Sequence, residues 1–151
     1  MDSTVGYEET IIRLLFHHRM VENSGKLKKD AFPAAELAEV NGKSVSVDRA
    51  KFLLMPLHIV NKLKTYENAQ KGRSKWGYCS AISSEISEIR SQGGKQVYCV
   101  LIDPIMNHPP APWDHAHAKI VRADSNFSKG FLRGYRDKLT EVFQRSIVPI
   151  A

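Results

Sequence analysis

Val97 to Ile102 reads VYCVLI, six β-favouring residues in a row, and Asp103-Pro104 closes the run. It constrains the fold more than any other stretch. A short apolar run between turn signals suits a strand better than a helix, and its lack of polar alternation predicts a central strand buried on both faces. Such a strand needs neighbours, and three segments supply them. Leu14–His18 is apolar up to its histidines, and Ser44–Val47 alternates Ser and Val as a half-buried strand does. Ala116, Ala118 and Ile120 alternate with His117, Lys119 and Val121. The expected fold class is α+β, a mostly antiparallel sheet of about four to five strands with helices packed on it.

Helices are predicted between these strands. Ala31–Val40 has Pro33 in its first turn and Asn41-Gly42 as a stop. Ser83 or Ser84 caps a short helix through Arg90, with Ile82, Ile86 and Ile89 on one face. At the C-terminus, Asn126 or Ser128 caps an amphipathic helix with Phe127, Phe131, Tyr135, Leu139, Val142 and Phe143 at helical spacing. Residues 61–75 read differently. Lys62, Lys64, Lys71, Arg73 and Lys75 leave only Leu63 and Tyr66 as large apolar residues, so a mobile basic loop is expected. The 151 residues show no internal repeat or boundary and are read as a single domain, 1–151, long enough to bury a core.

The chain has no run of about 18 apolar residues, so no membrane is expected among its partners. The start, MDSTVGYEET, is unlike a secretory or transit peptide, and Cys79 and Cys99 form no CxxC pair. Both features set the expectation of a cytoplasmic, bacterial-type protein with free thiols. A net charge of +6 would help binding to a polyanion. Lys62, Lys64, Lys71 and Arg73 can track phosphates while Trp76 stacks a base, against the plainer alternative of a solvated loop. No GxxxxGK[ST] or GxGxxG motif is present, and no cofactor is expected.

The chemistry-bearing stretch is PPAPWDHAHAKIV, Pro109–Val121. On a strand, His115 and His117 would share a face and could address one ligand, with Asp48, Asp103, His17 or His18 as a third metal ligand. The short motif alone does not carry a metal site, and none is assigned. Without metal, histidines serve as general acid and base near neutral pH. His117 and His18 are the candidates, with Asp48 to orient an imidazole and Arg19, Arg49 or Lys119 to stabilise developing negative charge. Ser44 and Ser46 are candidate nucleophiles without a GxSxG elbow, and the plainer reading of SVSVDRAKF is a strand whose carboxylate caps the next helix.

The order LLFHHRM, DAF, SVSVDRAKF, IDP, AHAKI, from Leu14 to Ile120, resembles a group of small uncharacterised bacterial proteins with an "LSVDR … DP … AHA" motif order. The resemblance implies no activity. It implies a choice of residues: Arg19 or His18, Asp48, Arg49, Asp103 and His117. Asp114-His115 stands where that group has Asn-Pro, which favours His117 over His115. Two functions follow as expectations. The first is a small interaction module or subunit of a larger bacterial system, with a protein partner. The alternative is a metal-independent, His-based enzyme acting on a phosphate-containing or nucleic-acid ligand.

Overall fold

The structure, a computed structural model, describes residues 4–17, 19–53, 55–69, 74–104 and 114–150. In chain order the elements are β1 (Thr10–His17), α1 (Ala34–Leu37), β2 (Val45–Arg49), α2 (Pro56–Ala69), β3 (Ser74–Ile82), α3 (Ser83–Ser87), β4 (Tyr98–Ile102), β5 (His117–Arg122), α4 (Lys129–Arg133), α5 (Arg136–Gln144) and β6 (Ile147–Pro149). The fold is α+β. One sheet of six strands runs β4-β5-β2-β1-β3-β6, and all its neighbours are antiparallel.

The strand buried on both faces is β1. Its Ile11 and Leu15 enter the main core, while Ile12, Leu14 and Phe16 enter a second cluster on the opposite face. Period-2 alternation places these sets on opposite sides, so a strand between two layers reads as continuously apolar. The main core takes Leu37 of α1, Ile86 of α3, Leu132 of α4, and Leu139 and Phe143 of α5. The second cluster takes Ile59 and Leu63 of α2.

Several sequence expectations change. VYCVLI is an edge strand, not a central one. Its Tyr98 and Val100 face the core while Cys99 and Leu101 are half-buried, and the N-terminal segment covers its free edge through the Val5 amide, which donates to the Val100 carbonyl at 3.0 Å. An edge covered this way tolerates an apolar sequence. The first stretch of the expected basic loop is helix α2. Pro56 opens that helix, and Ile59, Leu63 and Tyr66 form its apolar stripe. The strands β3 and β6 were not expected.

At the C-terminus the spacing predicts one helix, and the chain forms two. Ser128 caps α4, its Oγ accepting from the Phe131 amide at 3.1 Å, and the helix stops at Gly134. The Tyr98 hydroxyl donates to the Leu132 carbonyl at 2.9 Å, a second donor to a helix-end oxygen that also accepts from the Tyr135 amide at 3.1 Å. Beyond α5, β6 returns against β3, where Gly77 lies so close that a Cβ there would stand 2.1 Å from the Val148 carbonyl oxygen. Among the described residues, no helix is long and apolar enough to cross a membrane.

Candidate functional site

The sheet opens between β1 and β2. The two strands pair only at Ile11↔Arg49 and Ile12↔Asp48, and then diverge. Arg13 fills the gap. Its Nη1 donates to the Ser46 carbonyl at 2.6 Å, and its Nη2 and Nε donate to the Ala31 carbonyl at 2.8 and 3.2 Å. One buried guanidinium thus gives donors to a β2 carbonyl left without a β1 partner and to the carbonyl of Ala31 in the 3₁₀ turn Lys29–Ala31. Beside it lies a cavity of about 240 Å³ whose wall includes Phe16, Arg19, Ser46, Asp48, Tyr66 and His117.

Asp48 and His117 face each other across paired strands. The register Asp48↔His117 joins β2 to β5, and both residues are buried, at 4% and 7% exposure. His117 is held from one side. Its Nδ1 lies 2.7 Å from the Asp103 carbonyl oxygen and 3.2 Å from Asp103 Oδ2, both acceptors, so Nδ1 carries the proton. In the neutral ring that leaves Nε2 with its lone pair, able to accept a proton or a hydrogen bond.

Asp48 is held by α2. The Lys62 ammonium donates to Asp48 Oδ1 and, at 2.6 Å, to Asp114 Oδ2. Asp114 is fixed in turn, its Oδ1 accepting from the Ala116 amide at 3.1 Å just before β5. One ammonium therefore bridges two carboxylates and ties α2 to the sheet. Burial pushes the Asp48 carboxyl above the ordinary aspartate range, and Lys62 offsets only some of that. Burial also works against the Lys62 charge, but Asp48 and Asp114 outweigh it and hold the ammonium above the ordinary lysine range.

The candidates read from sequence fall into separate places. His117, Asp48 and Arg19 line the same cavity. Arg49 does not. Adjacent strand residues point to opposite faces, and Arg49 turns from Asp48 to make a two-pronged ion pair with Glu9, both contacts at 2.8 Å, beneath the Phe52 ring. That pairing holds the Glu9 carboxyl below its ordinary range. His18 lies outside the described residues. His115 sits in the turn before β5, exposed, so HxH does not present two imidazoles from a strand. Ser46 lines the cavity and Ser44 does not. Among the described residues, no group of three His, Cys, Asp or Glu side chains is placed to hold a metal ion.

The phosphate-tracking set is dispersed. Lys62 is engaged by two carboxylates, Lys64 is exposed on α2, and Trp76 packs against the main core. Lys75 pairs with Glu67 at 3.5 Å. Lys71 and Arg73 lie outside the described residues. Sequence reasoning missed Lys62 as a structural cation, along with Asp114 and Arg13. The last had a signal, an arginine inside TIIRLLF, which a two-sided apolar strand accepts only with hydrogen-bonding partners. Set against protein-family models, the curated proteins and the solved structures, the chain matches none of them.

Proposed function

We propose that the protein is a small-ligand-binding domain of enzyme type, whose site is the cavity between β1 and β2 and whose proton acceptor is His117. The observation that supports this reading is the pairing of His117 with Asp48 on one cavity wall, where both are more than nine-tenths buried. Buried titratable groups cost stability unless held by specific partners, and the fold spends Asp103, Lys62 and Asp114 on holding these two. His117 Nε2 takes the proton of a bound ligand, and Asp48 beside it favours the imidazolium that forms. Arg19, exposed on the same wall, meets negative charge on the ligand. A cytoplasmic setting fits this role.

His117→Asn tests the reading. The asparagine amide can keep the donor to the Asp103 carbonyl while removing Nε2. Ligand-observed NMR with a library of polar fragments should find binders in the wild type that His117→Asn and Asp48→Asn no longer hold. Equal fragment binding in wild type and both variants would refute the assignment.

A second reading, the interaction module, draws on Phe52, Met55 and Leu57, which stand 44%, 56% and 58% exposed within one short stretch. Apolar residues gathered at the surface mark partner contacts. On that reading Phe52→Ser with Leu57→Ser abolishes cross-links to a protein partner and leaves the unfolding midpoint in place. Unchanged cross-links would dismiss it.

A further inference from the structure

The cavity wall carries two more acids. Asp30, in the 3₁₀ turn Lys29–Ala31, and Glu36, on α1, line it beside Asp48. Neither carboxylate makes a hydrogen bond or ion pair with the described residues. Asp48 gives only Oδ1 to Lys62, and His117 gives only Nδ1 to Asp103. The wall thus presents three carboxylates and an imidazole nitrogen, all able to accept. Of the two arginines there, Arg13 has Nε, Nη1 and Nη2 aimed at backbone carbonyls. Phe16 and Tyr66 add aromatic surface, on whose faces a cation is attracted.

Those groups select by charge. A phosphate dianion placed here would stand against Asp30 and Glu36, which make no ion pair with the described residues, and beside Asp48, whose charge Lys62 offsets; like charges in a partly desolvated site repel strongly. A group rich in N–H donors and positively charged meets complementary partners at each acid. With a water's share of liquid volume at about 30 Å³, a cavity of about 240 Å³ has room for a ligand of amino-acid size. We infer that the site takes a small organic cation, an alkylammonium or guanidinium, held by Asp30, Glu36 and Asp48, with Arg19 meeting a carboxylate when the ligand carries one. The inference rests on the cavity being the ligand site and goes beyond it by naming the ligand's chemistry.

Isothermal titration calorimetry of the full chain with agmatine, arginine and cadaverine, beside inorganic phosphate and adenosine monophosphate, tests it, with the His117 ring signals followed by NMR. The expected result is that agmatine or arginine binds and shifts the His117 signals. Asp30→Asn at an exposed position and Glu36→Gln at a half-buried one should each weaken that binding about tenfold or more, as loss of a charge-assisted hydrogen bond does. Arg19→Ala should weaken arginine and spare agmatine. Phosphate or the nucleotide moving the His117 signals while the cations do not would overturn the ligand class and leave the site standing. Cation affinity unchanged in the two acid variants would overturn the class as well. Silence of the His117 signals with every probe would overturn both the class and the site.

Discussion

Replacing Lys62 with methionine isolates the contact that joins α2 to the sheet. Methionine keeps much of the buried stem and removes the ammonium, its charge and its hydrogen bonds to Asp48 and Asp114. At 2.6 Å and an effective dielectric of about 20, Lys62 and Asp114 attract by about 6 kcal/mol, and Asp48 lies at least as close on the other side. Desolvating three charged groups takes back much of this, so the intact cluster contributes little net stability. Breaking it is a different matter. The side chains of Asp48 and Asp114 are 6% and 12% exposed, and without Lys62 they face each other uncompensated. The expected loss is about 3–5 kcal/mol near neutral pH, read as a lower urea midpoint at unchanged slope.

The loss should depend on pH in a defined direction. The Asp48 carboxyl is raised in the folded protein above its unfolded value. Its contribution is therefore present below the ordinary aspartate pKa of about 3.9 and lost as pH rises through the folded value. Removing Lys62 raises that folded value further, so acidification should restore stability to the variant by up to about 1.4 kcal/mol per pH unit. Adding Asp48→Asn to Lys62→Met should recover much of the loss near neutral pH. A loss below about 1 kcal/mol, or one unchanged between about pH 7 and pH 4.5, would show that Lys62 is a solvated surface cation and that the bridge is wrong.

Leu139, fully buried in the main core, should lose about 2–5 kcal/mol on conversion to alanine, measured by chemical denaturation; an unmoved midpoint would place α5 off the sheet. Gly77→Ala puts a Cβ into the backbone of β6 and should cost about 1–3 kcal/mol, with faster amide exchange at Val148 and Ile150 marking the strand that gives way. Cys79 is fully buried and its thiol is pushed well above the ordinary range, so a mass-resolved thiol-labelling assay should find it unmodified in the native protein and labelled on unfolding. Arg49→Ala leaves Glu9 without its main partner; the Glu9 carboxyl, now held low, should titrate closer to its ordinary value by NMR, and stability that wild type keeps above that value and loses on acidification should fall.

Local pattern decided much of the secondary structure. The β-favouring run at Tyr98–Ile102, the alternation at Val45–Val47 and the apolar stretch within Thr10–His17 each form strands, because short apolar runs and period-2 alternation are both local patterns of residue type. Asp48 and His117 were also legible as candidates, since polar residues at the ends of apolar strands are few. What the sequence could not decide was order across the sheet. An apolar strand reads alike whether it is central between two layers, as β1 is, or an edge covered by an N-terminal segment, as β4 is. The basic character of residues 61–75 hid α2, because three apolar residues on one stripe are enough to dock a helix whose other faces are polar and exposed.

The site was half legible for the same reason. Sequence separates Arg49 from Asp48 by one position and so groups them, whereas the pleat sends them to opposite faces and to different partners. Lys62 stands 14 residues from Asp48 and 52 from Asp114, and nothing in its neighbours distinguishes it from Lys64. Its role comes from where α2 lands on the sheet, and that is fixed by Ile59 and Leu63 packing against Ile12, Leu14 and Phe16. The residue types were written in the sequence; which charges meet, and around what cavity, was decided by the apolar contacts that dock α2 on the sheet and by the divergence of β1 from β2.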